Sequence, residues 1–197
     1  YQFCNLSEVV VRETDTLDSL KRKVRIATIL GTLQSTLTDF KYLRKVWKDN
    51  TEEERLLGVS LTGIMDHHVL SKNVDSKRWL EEMRQEAVDT NKNFANMLGI
   101  PQSAAITCVK PSGTVSQLVD AASGIHARHN DYYIRTVRGD NKDPLTQFLI
   151  EEGVHNERDM MKPDSVTVFS FAMRSPDGAV TRTQMTAIQQ LELWKTY

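Results

Sequence analysis

Residues 104–117 read Ala-Ala-Ile-Thr-Cys-Val-Lys-Pro-Ser-Gly-Thr-Val-Ser-Gln and join an apolar run to a turn rich in hydroxyl groups. The run from Ala104 to Val109 predicts a buried strand that ends before Pro111. The turn then supplies three hydroxyls and a glycine, at Ser112, Gly113, Thr114 and Ser116. A glycine lets backbone N–H groups approach an anion closely, and Ser and Thr hydroxyls add donors without adding charge. The stretch therefore predicts a phosphate-binding turn, although the same residues are also typical of an ordinary Pro-Ser-Gly turn.

Helix and strand patterns alternate on both sides of this turn. Apolar residues spaced by three, four or seven from Thr16 to Trp47 predict one long helix, or two helices joined near Gly31. The other expected elements are a capping box that opens a short helix at Thr51–Glu54, a strand at Leu57–Leu61, a helix from Asp75 or Ser76 to Gly99, strands at Tyr132–Val137 and Val166–Met173, and helices at Pro144–Glu151 and from Thr183. This order predicts an α/β fold around a mainly parallel sheet.

Composition narrows the class of protein without identifying it. The chain has 197 residues, of which 40% are apolar and 26% charged, and a net charge of −1. That is enough for one domain, and the absence of a positive field argues against a nucleic-acid partner. No apolar run reaches transmembrane length, so no membrane partner is expected. Two cysteines do not make a disulfide scaffold, which fits a reducing cytoplasm.

The two cysteines allow different interpretations. Cys4 lies beside Phe3 and Leu6, so it is either a small buried hydrophobic residue or a reactive thiol. Cys108 lies within the apolar run and is expected to be a structural thiol buried in a strand.

Asp66, His67 and His68 resemble metal ligands at first sight. Adjacent histidines on a helix point in different directions, however, and no third ligand is spaced to join them. We therefore expect a polar helix surface and no metal site. The basic segment that includes Arg128 and Arg135 is expected to be solvated or structural.

Several segments, taken in order, carry a resemblance to a known family. They are Cys-Asn-Leu-Ser-Glu at residues 4–8, Gly-Val-Ser-Leu-Thr-Gly-Ile-Met-Asp at 58–66, Lys-Pro-Ser-Gly-Thr-Val-Ser-Gln at 110–117, Ser-Gly-Ile-His at 123–126 and Tyr-Tyr-Ile-Arg at 132–135. At these separations the chain resembles the adenosylcobalamin-dependent (class II) ribonucleotide reductases of the ribonucleoside-triphosphate type, over essentially its whole length. Class I reductases usually carry glutamate at the position of Gly113, so the glycine favours class II.

The resemblance implies a fold and a reaction. The fold would be part of the ten-stranded α/β barrel of ribonucleotide reductases and glycyl-radical enzymes, with residues 1–197 as a single partial catalytic-barrel domain truncated at both ends. Adenosylcobalamin would initiate thiyl-radical chemistry that converts ribonucleoside triphosphates to 2′-deoxyribonucleotides for DNA synthesis. Cys4 would be one of two thiols that form a redox-active disulfide. The substrate phosphates would be held by Ser112, Gly113, Thr114, Val115 and Ser116.

The resemblance also implies what must come from elsewhere. The family's radical-carrying cysteine lies in an Asn-x-Cys-x-Glu segment upstream of the position of Cys4, and this chain has no such segment. The chain alone is therefore expected to be inactive, with the remaining portions of the same allosteric reductase and a thioredoxin-type reductant as partners. Two alternatives stay open, namely part of a diiron-dependent class I ribonucleoside-diphosphate reductase large subunit, and a non-catalytic phosphate-binding α/β module.

Overall fold

The fold is described by a computed structural model that covers residues 1–72 and 74–197. Contacts divide the chain into two compact units, residues 1–128 with 178–197, and residues 129–177. In chain order the strands and helices are β1 (Asn5–Val10), α1 (Leu17–Gln34), α2 (Lys45–Glu54), β2 (Leu57–Thr62), α3 (Ser76–Leu98), α4 (Thr114–Leu118), β3 (Tyr132–Asp140), α5 (Pro144–Glu151), β4 (Asn156–Arg158), β5 (Val166–Arg174) and α6 (Ala187–Thr196). Among these described residues, no helix is both long and apolar enough to cross a membrane.

The first unit is built on parallel strands. β1 and β2 pair in parallel with Leu6 opposite Gly58, and α1 lies between them in the chain. On the other side of β2, Thr107 forms a parallel bridge with Val59. The predicted strand at residues 57–61 is confirmed, and the predicted strand at 104–109 is an extended segment that pairs with β2 around Thr107. Three extended segments therefore run side by side with β2 in the middle.

Helices α1 and α3 cover one face of these strands. Val9 and Val59 are buried there in one apolar cluster with Leu20, Val24 and Met83 of the two helices. Local signals set the helix ends. Thr16 and Ser19 form a capping box that opens α1, and Gly99, at a φ of 66°, closes α3 in the left-handed conformation that glycine tolerates best. Burying this face leaves the opposite face of the strands for other contacts.

Two helix predictions are wrong in detail. α1 continues through Gly31 and ends at Gln34 with Ser35 as its C-cap, and the next helix begins at Lys45. The structure therefore has neither a single helix that reaches Trp47 nor a break at Gly31. Thr51–Glu54 does not open a helix but forms the end of α2, which stops where Arg55 adopts a φ of 48°. The guanidinium of Arg55 donates to the carbonyl oxygen of Ser35, which ties together the ends of α1 and α2. Apolar spacing shows which side of a helix is buried but not where such a tertiary contact ends it.

The second unit is an antiparallel sheet in the order β3-β5-β4. α5 precedes β4, and its start is fixed by Asp143, whose carboxylate accepts from the amide of Leu145, with Pro144 at the first turn. The predicted mainly parallel sheet is therefore right for the first unit and wrong for this one. Alternating helix and strand patterns do not by themselves fix strand direction. Here β4 and β5 are joined by a short connection that reverses the chain, so the two strands run antiparallel.

Candidate active site

The turn after Pro111 is held by its own serines. Ser112 and Ser116 are both buried. The Ser112 hydroxyl donates to Oε2 of Glu8 at 2.9 Å and accepts from the Ser116 amide at 3.1 Å. The Ser116 hydroxyl donates to the Ser112 carbonyl oxygen at 2.7 Å, and the Ser123 hydroxyl donates to the same oxygen. The hydroxyls of Ser112 and Ser116 therefore hold the turn in shape, and the contact of Ser112 with Glu8 attaches the turn to β1.

The outer side of the same turn carries backbone donors. Gly113, Thr114 and Val115 are exposed, and within the described part of the chain their amides have no protein acceptor. A β-carbon added at Gly113 would meet no atom within 4 Å, and its φ of −78° is one that any residue adopts. No contact among the described residues therefore requires glycine at this position, and the absence of a side chain leaves the amides open to approach.

Two thiols converge on Gly58 of β2. A β-carbon added at Gly58 would lie 2.9 Å from Sγ of Cys4 and 3.1 Å from Sγ of Cys108. The separation of the two sulfurs therefore cannot exceed the sum of these two distances. Both residues are exposed as free cysteines, so the expectation of a strand-buried Cys108 is wrong. The cause is its place near the end of the paired segment, one residue after Thr107, where the face opposite the helices is open.

The thiols and the turn lie along one face of β1. Side chains alternate along a strand, so Cys4, Leu6 and Glu8 share a face, and Glu8 contacts Ser112. Four residues of strand separate Cys4 from Glu8 by roughly 13 Å at about 3.3 Å per residue. Oε1 of Glu8 is buried and has no partner among the described residues, which leaves a hydrogen-bond acceptor between the thiols and the turn.

The electrostatics of the thiols follow from this packing. Desolvation raises the pKa of Cys4. Desolvation also raises the pKa of Cys108, and the nearby Cys4 and Glu8 raise it further while Lys110 opposes them. Both sulfurs are therefore mainly protonated near pH 7.

Asp66 lies at the end of a short 3-10 turn and is buried in an ionic network. Its carboxylate accepts from Nε of Arg128 at 2.8 Å and from a terminal guanidinium nitrogen at 2.9 Å, and also from the amide of Ala122 at 2.8 Å. Arg128 additionally donates to the side chain and the carbonyl oxygen of Asp120. The network fixes residues 120–128, which follow the serine turn, against the end of β2. The structural role expected for Arg128 is confirmed, and the expected exposed surface at Asp66 is wrong.

His67 is also buried, and its ring bonds fix its protonation state. Nδ1 accepts from the amides of Val69 and Leu70, and Nε2 contacts the carbonyl oxygen of Asp15 at 2.9 Å, so the neutral tautomer with the proton on Nε2 satisfies both sides. In residues 1–72 and 74–197 no group of three His, Cys, Asp or Glu side chains is placed to hold a metal ion. His67 is therefore a structural residue.

Acid should destabilise the fold through His67. Desolvation lowers its pKa in the folded state, so the unfolded chain, with a histidine pKa of about 6.5, binds the proton more readily. Its contribution to stability is complete above pH 6.5 and is lost as pH falls from there toward the folded pKa, by at most about 1.4 kcal/mol per pH unit. Urea unfolding between pH 7.5 and 5 should show this slope. His67→Asn, which offers an acceptor but does not titrate, should flatten it, and an unchanged slope would contradict this role.

Comparison with known proteins gives a consistent result. The chain is 29% identical over 195 residues to an adenosylcobalamin-dependent ribonucleoside-triphosphate reductase of Euglena gracilis, covering 98% of this chain and 26% of that protein. It is 27% identical to a probable reductase of the same name from Dictyostelium discoideum (98% and 25%) and 26% identical to one from Lactobacillus acidophilus (87% and 26%). No family model matches the chain.

The fold is similar to a known structure although the sequence identity to it is low. A crystal structure of a B12-dependent (class II) ribonucleotide reductase superposes with a TM-score of 0.81 at 19% identity, covering 100% of this chain and 31% of that one. The predicted resemblance is confirmed. Over nearly its whole length the chain is similar to part of adenosylcobalamin-dependent ribonucleoside-triphosphate reductases, and it spans about a quarter of the length of the curated relatives it matches. Its α/β fold is that of the corresponding part of the class II reductase.

Three residues near the turn and the thiols do not stand out in the sequence. Glu8 ends the Cys-Asn-Leu-Ser-Glu segment, Cys108 lies in an apolar run, and Gly58 lies in a predicted strand. The signal for Gly58 was its position in a strand, where a glycine often marks close approach by other groups. No sequence pattern links Cys4 to Cys108, because their proximity depends on the order of the three extended segments.

Proposed function

We propose that this chain is part of an adenosylcobalamin-dependent reductase that converts ribonucleoside triphosphates to 2′-deoxyribonucleotides. One observation carries the proposal: a turn with unsatisfied amides at Gly113, Thr114 and Val115 lies on the same face of β1 as the Cys4 thiol. Anion donors and a reductant thiol are two of the groups that reduction of a nucleotide requires. The names of the relatives favour this reductase over the diiron-dependent alternative.

The turn would bind the phosphates through its backbone. The amides of Gly113, Thr114 and Val115, with the Thr114 hydroxyl, would donate to phosphate oxygens, and donors to a charged acceptor make the stronger hydrogen bonds. Ser112 and Ser116 would act by holding the turn in shape, since their hydroxyls are engaged within it. The unpartnered Oε1 of Glu8 suits a sugar hydroxyl, which would orient the ribose toward the sulfurs.

Cys4 would supply reducing equivalents. Reduction at the ribose 2′ carbon replaces the hydroxyl by hydrogen and releases water, while two thiols lose two electrons and two protons and join as a disulfide. Cys4 would be one of these thiols, and its partner and the radical cysteine would come from the preceding part of the reductase. A thioredoxin-type dithiol would then restore the thiols by exchange. Holding the nucleotide at both ends would keep the 2′ carbon in position for this step.

The cofactor and the remaining partners are part of the same proposal. Adenosylcobalamin, when bound, would supply the radical that starts the reaction. The chain as a whole would form one partial domain of the ten-stranded catalytic barrel, and the structural match over its full length supports this assignment. The remaining portions of the reductase would provide the other strands, the radical cysteine and the allosteric site. The protein would work in the cytoplasm, and this chain alone would not turn over.

Gly113→Glu in the full-length reductase tests the phosphate site. We expect the dissociation constant for a ribonucleoside triphosphate to rise at least about 30-fold. Class I reductases usually carry glutamate here, but in this turn no described atom lies within 4 Å of an added β-carbon to hold the new carboxylate away from the amides. The carboxylate would therefore repel the phosphates, and lost charge-assisted bonds cost about 1.5–3 kcal/mol each. Thermal stability should not fall, since an added β-carbon meets nothing within 4 Å. Isothermal titration and a melting curve measure the two quantities.

Leu118→Glu is the matched control for added charge. Leu118 ends α4 and is 85% exposed, so the same charge is introduced about one turn from the amides. We expect a change in affinity of less than about threefold, because a carboxylate on this solvent-exposed side chain would not occupy the space in front of the amides and would act on the phosphates only through water, where charge interactions are weak. Equal loss in both variants, or no loss in Gly113→Glu, would rule out binding at this turn.

A further inference from the structure

We propose that Cys4 and Cys108 form a redox-active thiol pair that closes to an intrachain disulfide across Gly58. The resemblance assigns no role to Cys108, and the pair differs from one between Cys4 and an upstream cysteine. Its basis is the position of both sulfurs, 2.9 and 3.1 Å from the point that a β-carbon of Gly58 would occupy. Both thiols are free and exposed, so a dissolved oxidant can reach them.

Gly58 makes the approach of the two sulfurs sterically possible. Cys4 precedes β1 and Cys108 follows the bridged Thr107, so the sulfurs come from segments on opposite sides of β2. Any side chain at the central position would stand between them. A contact below 3.0 Å, such as the one to Sγ of Cys4, is one that a real β-carbon essentially never makes. The glycine is therefore a structural requirement for the pair.

Closure requires a limited movement of the chain. Segments on either side of a central strand lie roughly 10 Å apart, whereas the α-carbons of a disulfide lie within about 7 Å of each other. Cys108 is anchored, because its amide donates to the carbonyl oxygen of Val59 at 3.0 Å. Cys4 lies outside the β1 ladder, which begins at Asn5. We therefore expect the segment of residues 1–4 to move toward Cys108.

The reaction is thiol–disulfide exchange with a small-molecule disulfide. The thiolate of one cysteine attacks the external disulfide, forming a mixed disulfide and releasing one thiolate of the oxidant. The second cysteine then attacks the protein sulfur of the mixed disulfide and releases the other half of the oxidant. Two electrons pass from the pair to the oxidant, and the two thiol protons pass to the released thiolates or to solvent. Because partial desolvation by their neighbours raises the pKa of both thiols, the rate should keep rising as pH increases beyond about 8.5.

Oxidised glutathione and mass spectrometry test the pair in the full 197-residue chain. At low protein concentration and pH 8.5 we expect a monomer that has lost two hydrogens, retains no glutathione, and yields a cross-linked peptide containing both cysteines. Cys108→Ser should stop at a single glutathione adduct on Cys4. Gly58→Ala, with both thiols present, should slow closure at least about tenfold and accumulate the mixed disulfide.

The opposite outcomes are equally specific. Stable glutathione adducts on both cysteines of the wild-type chain, or disulfides only between two chains, would overturn the pair. Gly58→Ala also brings a β-carbon close to Leu6 and could unfold β1, so Cys108→Ser decides the result if that variant is unstable. None of these measurements uses a nucleotide or turnover. Failure of the thiol pair is thus distinguishable from failure of the reductase proposal, which the Gly113 variant tests.

Discussion

Cys4→Ser in the full-length reductase is expected to reduce multiple turnover at least about 10³-fold, the scale seen when a member of a catalytic set is removed. A serine hydroxyl cannot be oxidised to a disulfide, so the two electrons for each ribose would have no source at this position. The measurement is formation of deoxynucleotide with a dithiol reductant in excess. Binding of ribonucleoside triphosphate should stay within about twofold of wild type, because the phosphate contacts lie roughly 13 Å along β1 from the sulfur.

Cys108→Ser is the matched variant for this result. It removes a thiol beside the same glycine, and with reductant in excess we expect turnover close to that of the wild type, since the intrachain disulfide is not formed under those conditions. Wild-type turnover by Cys4→Ser would show that this thiol is inert and would favour a phosphate-binding module without redox chemistry. Loss of nucleotide binding in Cys4→Ser would instead indicate a folding defect, which a melting curve would reveal.

The elements that sequence predicted well are those defined by local chemistry. β2 and α3 were predicted because an apolar strand run and a helix closed by Gly99 are signals read within a few residues. The end of α1 at Ser35 was missed, because a contact with Arg55, twenty residues later, accompanies it. The antiparallel second unit was missed for a similar reason, since strand direction is set by pairing between distant residues.

The candidate site also contains a part that is local in sequence and a part that long-range pairing brings together. The turn around Gly113 is continuous in sequence, so the Pro-Ser-Gly pattern could predict the turn itself, and its phosphate-binding role stays a prediction. Glu8 and Cys108 are brought to the site by long-range pairing, through Ser112 in one case and through β2 in the other. The buried state of Asp66 was also not predictable, because its charge is tolerated only beside Arg128, which lies 62 residues away. A charge is exposed by default unless its partner can be identified.

Arg128→Met should cost about 3–5 kcal/mol of unfolding free energy, the largest stability effect we expect in this chain. Both side chains of the Arg128–Asp66 pair are buried, with 4% and 3% exposure. Removing the guanidinium leaves the Asp66 carboxylate in the interior without its counter-charge, and breaking a buried pair on one side is strongly destabilising for that reason. Urea unfolding followed by circular dichroism measures the change, and lost order at residues 120–128 should weaken nucleotide binding as well.

Two further variants separate the buried charge from a general effect of losing arginine. Arg25→Met removes an exposed guanidinium that pairs with Glu86 on the surface of α1 and α3, and exposed pairs of this kind contribute little to stability. Asp66→Leu combined with Arg128→Met removes both buried charges, so it should recover much of the loss, because an uncharged pair has no desolvation cost to repay. Recovery would attribute the instability to the unpaired carboxylate. If the double variant were as unstable as the sum of the single variants, the hydrogen bonds of Asp66 to Ala122 and of Arg128 to Asp120 would be the stabilising contacts, and charge pairing would not.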